Sequence, residues 1–237
     1  MQITSYATLT RQSGLLREMH IVANNLANMA TTGYRQEGIV FSEFVKQIGN
    51  DQSVSMARAN TRATSFNQGS LEKTGGALDI ALEGDGFFLV QTPQGERLTR
   101  SGNFTTDATG RLVNIDGHAV LDTGFTPIIL PRDGSDIAIA SDGTLSQQGN
   151  PIGQIGTFQP IDQAGLVRED GVLFSSASGV EPALDVRMVQ GFLEASNVNP
   201  ILQISRMIEI QRAYEMGQSF LDAEEERMST AMKTFVR

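Results

Sequence analysis

Three acidic residues, Asp79, Glu83 and Asp85, are the closest approach in this sequence to a catalytic pair. Two carboxylates held near one another hydrolyse glycosides, one as acid and one as base or nucleophile. Asp85 sits directly before Gly86, however, and an Asp-Gly step is turn chemistry. The only histidines, His20 and His118, lie on a predicted helix and after a predicted hairpin turn. Neither has the His-x-His or His-Glu-x-x-His spacing of a zinc site. A calcium loop needs more spaced acids than Asp133, Asp136 or Asp142 provide. Gly84-Asp85-Gly86 lacks the third glycine of a dinucleotide loop, and neither a P-loop nor a G-x-S-x-G is present. Asp222, Glu224, Glu225 and Glu226 read as the solvated face of a helix. With no cysteine there is no disulfide and no thiolate. The sequence therefore predicts no catalytic, cofactor-binding or metal-binding residues and no enzyme.

The elements that carry these residues are unevenly distributed. The chain has 237 residues, 40% hydrophobic and 6% aromatic, without tryptophan. That suffices for one large or two modest domains with an aliphatic core. A net charge of −9 argues against binding a phosphate backbone. No apolar run is long enough to span a membrane. Met1 to Leu16 lack the basic cluster and apolar block of a secretory signal peptide. Residues 66–200 hold seven basic against seventeen acidic residues, 19 of the 24 glycines and all seven prolines. Two ends with few helix breakers thus flank an acidic, turn-rich middle.

The last segment carries the clearest pattern. Met207, Tyr214, Leu221, Met228 and Phe235 recur every seven residues, and Ile201, Ile204, Ile208 and Ile210 crowd its start. Asn199 is a suitable N-cap and Pro200 a suitable first helical residue. One long helix follows, with a narrow stripe because Gly217, Gln218, Glu224 and Glu225 are poor core residues. A long helix with a thin stripe needs a neighbour. The candidate is residues 4–29, where Leu15, Met19, Val22, Leu26 and Met29 step by 4, 3, 4, 3, and Leu9 and Leu16 widen the face. Thr4 or Ser5 is its expected N-cap and Gly33 its expected stop. On patterning alone, an intramolecular helical pair capping a β domain accounts for both helices. Asn24, Asn25 and Asn28 are odd in a helix. They serve either to end it or to bond a neighbouring chain.

Residues 76–185 read as all-β. Asp-Gly occurs at 85–86, 116–117, 133–134, 142–143 and 170–171, with short apolar runs between. Asp-Gly between strands is a strong hairpin signal. The expected fold class is therefore mixed α and β: long N- and C-terminal helices forming a coiled-coil-like pair, and a central all-β domain, an irregular sandwich or barrel. The expected division is an N-terminal axial helix over 1–34, a connecting arm over 35–75, the β domain over 76–190 and a C-terminal axial helix over 191–237. Within the arm, 39–45 suggests a short strand or helical turn, and 51–68 reads as extended or loop.

Three blocks carry a family resemblance. Ala23-Asn24-Asn25-Leu26-Ala27-Asn28, followed by Thr31-Thr32-Gly33-Tyr34, is the first. Gly76-Ala77-Leu78-Asp79-Ile80 through Gly86-Phe87-Phe88, then Leu98-Thr99-Arg100-Ser101-Gly102-Asn103-Phe104, is the second. Gly191-Phe192-Leu193-Glu194-Ala195-Ser196-Asn197-Val198-Asn199, then Gln211-Arg212-Ala213-Tyr214-Glu215, is the third. Together they resemble the axial proteins of the bacterial flagellum, the rod and hook group. Within it, the chain length, the short arm after Tyr34 and the Asn197-Val198-Asn199-Pro200 run are similar to the proximal-rod type. The chain departs from the group at Met216-Gly217, where asparagine is usual.

The resemblance implies a structural subunit of the basal-body rod that crosses the periplasm and transmits torque. It implies export through the flagellar type III apparatus without a cleaved signal peptide. The implied partners are copies of itself, other rod proteins and that export apparatus, with no nucleic acid and no membrane insertion. The expected assembly interface comprises Leu9, Leu15, Leu16, Met19, Val22, Asn24, Asn25, Leu26, Asn28 and Gly33 from the first segment. Met207, Ile208, Tyr214, Leu221, Met228 and Phe235 complete it. Such ends are expected to order on docking. Alternative readings are a distal rod subunit, a secreted β-domain binding module on a helical stalk, and a β-sheet hydrolase using the acids above.

Overall fold

The computed structural model describes residues 2–48, 52–131, 137–169 and 171–235, with side chains described within 8–40, 63–131, 137–169 and 171–233. Two long helices flank a β-rich middle. Contacts divide the chain into two compact units.

The first unit comprises Met1–Met29, Gln36–Ser65 and Val198–Arg237. Its helices are α1, Gln2–Ala27, and α2, Pro200–Phe235. Helix α1 starts before Thr4 and Ser5, so neither is its cap. It ends six residues before Gly33, where Asn28 takes over: its backbone N–H bonds to Asn24 O at 3.1 Å and its Nδ2 to the same carbonyl at 2.9 Å. These bonds satisfy a carbonyl that a helix end leaves open. Helix α2 starts as its sequence predicts, with Asn199 Oδ1 accepting from the N–H groups of Ile201 and Leu202 at 3.1 and 3.2 Å. Its 36 residues correspond to a length of about 54 Å. Gly217 does not interrupt it. A Cβ at Gly217 would lie 3.3 Å from Gln12 Nε2, so the glycine leaves room for α1.

The arm is more regular than its composition suggests. Strands β1, Glu37–Ile48, and β2, Gln52–Thr64, form an antiparallel hairpin in this unit. Residues 52–64 are thus strand rather than loop. Backbone pairing down both strands supplies the order that the weak apolar pattern did not announce.

The second unit comprises Ala30–Arg35 and Phe66–Asn197. Nine of its strands share a sheet, in the order Leu166–Arg168, Leu173–Ser176, Gly95–Thr99, Phe87–Thr92, Ala119–Val120, Leu112–Val113 and Thr105–Thr106, with Thr157–Pro160 pairing both Phe87–Thr92 and Val180–Pro182. This sheet is open and does not close into a barrel, which corrects that alternative. Closure requires one continuous staggered ladder, whereas here the sheet branches at Phe87–Thr92. Smaller sheets pair Ile80–Glu83 with Arg187–Gln190 and Leu71–Lys73 with Phe192–Glu194. The core is aliphatic with a few phenylalanines: Ile80, Leu82, Phe88, Val120, Leu145 and Ile155 are fully buried.

The Asp-Gly steps at 116–117 and 142–143 turn the chain with Gly117 at φ 83° and Gly143 at φ 85°. At 85–86 the positive φ falls on Gly84 instead. The steps at 133–134 and 170–171 include positions outside the described residues, as do Asp133 and Asp136. The Pro127–Leu130 run forms only isolated bridges, Leu121 to Pro127 and Arg111 to Ile129. Ile152–Phe158 is split between two strands.

Three aspartates, Asp142 of the 142–143 step among them, organise turns by accepting bonds from residues just ahead. Asp122 accepts from Gly124 N and Thr126 N, both at 2.8 Å, and from Thr126 Oγ1 at 2.6 Å. Burial pushes its carboxyl up, but those bonds outweigh it and hold the pKa below its ordinary value. The Thr109 hydroxyl, chiefly, lowers Asp107, and the Thr144 backbone N–H lowers Asp142. A carboxylate with a depressed folded pKa contributes stability above its unfolded pKa and loses it as pH falls through the folded one. Urea titrations should therefore show the β-rich unit weakening as pH drops below about 4. Asp122→Asn should flatten part of that slope; an unchanged slope would show that Asp122 does not contribute.

Candidate assembly interface

Helices α1 and α2 meet through polar side chains. Gln12 Nε2 donates to Gln218 Oε1 at 3.4 Å, Arg206 Nε to Glu18 Oε1 at 2.7 Å, and Asn25 Nδ2 to Gln203 Oε1 at 3.3 Å. As the α1 number rises the α2 number falls, so the helices run antiparallel. Gln12, Glu18, Asn25 and Gln203 are buried, beside Ile21, Val22 and Ile210. Asn25 does more: its Nδ2 donates to Glu37 O at 2.7 Å and its Oδ1 accepts from Glu37 N at 2.9 Å. One amide side chain thus pairs with β1 as a strand's peptide unit would. Of the asparagines, Asn28 ends the helix as one expected role has it, while Asn25 bonds other segments of its own chain rather than a neighbouring chain.

Several apolar side chains of the same helices face outward. Leu9 is 54% exposed, and Leu16, Ile204, Ile208, Met216, Phe220 and Met228 are also exposed. Leu15, Met19, Leu26, Asn28, Met207, Tyr214 and Leu221 are half-buried, Val22 is buried and Asn24 is exposed. The Phe235 side chain lies outside the described residues. The inner face of α2 combines two seven-residue series, Gln203, Ile210 and Gly217 with Met207, Tyr214 and Leu221. Reading the sequence for apolar recurrence finds the second series and misses the first, because two of its three members are a glutamine and a glycine.

Gly33 belongs to the second unit, at a cluster where the three sequence blocks converge. Its N–H donates to Glu194 O at 2.8 Å. The Glu194 carboxylate lies between two guanidinium groups, 2.8 Å from Arg35 Nη2 and 2.8 Å from Arg100 Nε. It also accepts from Gly69 N at 3.0 Å. The three charged side chains are at most 3% exposed. Arg35 also donates to Asn67 O, and Arg100 Nη1 to Gly84 O at 2.9 Å. Burial pulls the Arg35 pKa down to about 10 and lowers that of Arg100, while Glu194 opposes both shifts. At about 10, Arg35 stays charged at neutral pH. Tyr34 packs beneath Arg168, whose guanidinium carbon lies 4.5 Å from its ring centroid and 4.6 Å from that of Phe174. Nothing in local spacing announces this cluster, since Arg100 and Glu194 are 94 positions apart.

Of the residues first considered for chemistry, Asp79 has a structural partner and the histidines lie apart. Asp79 Oδ2 accepts from Thr74 Oγ1 at 2.6 Å, and the Asp79 carbonyl accepts from Gly191 N at 2.7 Å. His20 is exposed on α1, and the His118 backbone N donates to Asn114 Oδ1 at 2.8 Å inside a hairpin. Among the described residues, no group of three His, Asp or Glu is set to hold a metal. No helix of the described residues is long and apolar enough to cross a membrane.

Comparison with known proteins gives this arrangement a class. Residues 6–35 match the family described as flagella basal body rod protein, 81–147 the flagellar hook protein FlgE/F/G D1 domain, and 189–234 the flagellar basal body rod FlgEFG protein C-terminal region. These matches define a rod and hook protein of the flagellum. The flagellar basal-body rod protein FlgF of Caulobacter vibrioides is 37% identical over 234 residues, covering 96% of this chain and 96% of that protein. FlgF of Mesorhizobium japonicum is 37% identical over 238 residues, covering 99% and 98%. FlgG of Bacillus subtilis, also a flagellar basal-body rod protein, is 29% identical over 250 residues, covering 93% and 94%. The chain belongs to the FlgF-type flagellar basal-body rod proteins. It is a structural protein of that family and not an enzyme.

Proposed function

We propose that the chain is a subunit of the proximal rod of the flagellar basal body, joined to copies of itself and to other rod proteins through its terminal helices. The near-full-length likeness to FlgF carries this reading, and the outward apolar residues of α1 and α2 support it. Monomeric proteins rarely leave large apolar patches uncovered. Contacts between unlike faces repeat without closing, as a shaft requires. In this reading 1–34 and 191–237 are the axial segments, 35–75 the connecting arm and 76–190 the domain carried on them. The inner seam of α1 and α2 is coiled-coil-like, with Gln203, Ile210 and Gly217 alternating with Met207, Tyr214 and Leu221. The residues offered for assembly are Leu9, Leu16, Asn24, Ile208, Met228 and Phe235, while Leu15, Met19, Val22, Leu26, Met207, Tyr214 and Leu221 hold the inner seam that sets them outward. Asn25, Asn28 and Gly33 contribute by holding their own units in shape. The subunit travels through the flagellar type III export apparatus and, in the rod across the periplasm, transmits torque.

The double variant Leu16→Asp, Ile208→Asp tests this. In a strain lacking the natural copy it should abolish swimming and leave basal bodies short of a complete rod by electron microscopy. The melting of the β-rich unit should stay unchanged. Normal swimming with complete basal bodies would overturn the helix-mediated reading. The distal rod is the second reading, favoured by the FlgG likeness; rescue of a strain lacking the distal but not the proximal subunit would select it.

A further inference from the structure

The intramolecular seam of the first unit sets three polar pairs among apolar residues. Buried Glu18, Gln12 and Asn25 face Arg206, Gln218 and Gln203, while Leu9, Leu16, Ile204 and Ile208 are exposed. Helix α1 carries apolar side chains on several faces: Leu9 and Leu16 on one, Leu15, Met19, Val22 and Leu26 on another. Both apolar series recur every seven residues, so apolar burial alone fits α1 on α2 at registers one heptad apart.

We infer that the three pairs Gln12–Gln218, Glu18–Arg206 and Asn25–Gln203 are a register lock, holding α1 on α2 in the rotation that keeps Leu9, Leu16, Ile204 and Ile208 outward for a second copy of the chain. This rests on the assembly role proposed above. The lock works by penalty. Any slip or rotation leaves the Glu18 carboxylate, 8% exposed, without the Arg206 guanidinium 2.6 Å away. An uncompensated buried charge is strongly unfavourable, and buried polar pairs are best attested as setters of register. Asn25 fixes the same rotation from its other side, since its amide also holds Glu37. Gly217 permits the close approach of Gln12 to α2.

Because the chain has no cysteine, a pair introduced at the exposed positions Ser13 and Glu215 can carry two nitroxide labels. Dipolar spectroscopy on the full chain then reads the register, and a slip of one heptad moves the labels by about 10 Å. The natural seam should give one narrow distance. The quadruple variant Gln12→Leu, Glu18→Leu, Arg206→Leu, Gln218→Leu should shift or broaden it and lose co-assembly with the natural chain, while melting no earlier. Glu18→Arg alone should broaden the distance, and adding Arg206→Glu should restore both the narrow distance and assembly. An unchanged distance in the quadruple variant, a broad one in the natural chain, or no restoration by the charge swap would overturn the lock. A shifted register with assembly intact would overturn its link to the outward face. A narrow natural distance in a chain that never co-assembles would instead count against the assembly reading and leave the lock standing.

Discussion

Glu194→Gln is expected to lower the stability of the β-rich unit by about 3–5 kcal/mol, the usual cost of breaking a buried ion pair from one side. Glutamine keeps the shape and loses the charge, so two guanidinium groups remain buried with no carboxylate between them. The distances make the loss specific: both arginines reach Glu194 at 2.8 Å, and Gly69 N reaches it at 3.0 Å. Removing all three charges together should cost far less. In Arg35→Met, Arg100→Met, Glu194→Leu, no charge is left stranded, although the carbonyls of Gly84 and Asn67 lose donors. Urea unfolding followed by circular dichroism measures both variants. If Glu194→Gln stays within about 1 kcal/mol of the natural chain, the cluster is not an interdependent unit. Against a total of about 5–15 kcal/mol for a typical domain, the expected loss is enough to change how much folded subunit a cell contains.

Gly33→Ala is expected to be as damaging, at about 4 kcal/mol or more, through the backbone rather than through charge. Gly33 sits at φ 69°, where any side chain is strained. Its added Cβ would lie 2.4 Å from Ser101 N and 2.5 Å from the Arg100 carbonyl carbon. Both are main-chain atoms and cannot swing aside. To relieve the clash the 33–35 segment must lift away from 100–101, breaking Gly33 N–H to Glu194 O and separating Arg35 from its carboxylate. Hydrogen exchange should show early opening around residues 33–35, 100–101 and 194, with the amides of Leu112–Val113 and Ala119–Val120 less affected. Natural protection at all these sites would refute the account. The two substitutions act on one structure, so their effects should fall short of additive.

Parts of this molecule were readable in advance because the physics behind them is local. The Asn199 cap and Pro200 start of α2 depend on neighbours within three residues, and α2 begins where they predict. The turns at 116–117 and 142–143 need only a glycine able to take positive φ. Hairpin β1–β2 was only partly legible, as a short strand or helical turn at 39–45 and an extended or loop stretch at 51–68, for the opposite reason. Its order comes from backbone pairing between strands, which composition does not encode.

What the sequence determined by itself, then, was the arrangement of helices around a β-rich middle and, through three ordered blocks, the family. Repeating periods and capping residues act over a few positions, and blocks of identity survive without reference to contacts. Only the tertiary structure decided which faces of the helices are inner and which outer. It also decided that Arg35, Arg100 and Glu194 form one buried group. Those outcomes depend on pairing side chains far apart in the chain, where the deciding cost is that of leaving a buried charge or amide without a partner. An apolar count cannot sense that cost, and so it marked the apolar stripes of both helices without finding Gln12, Glu18 and Gln203, while Asn25 showed only as an asparagine unusual in a helix.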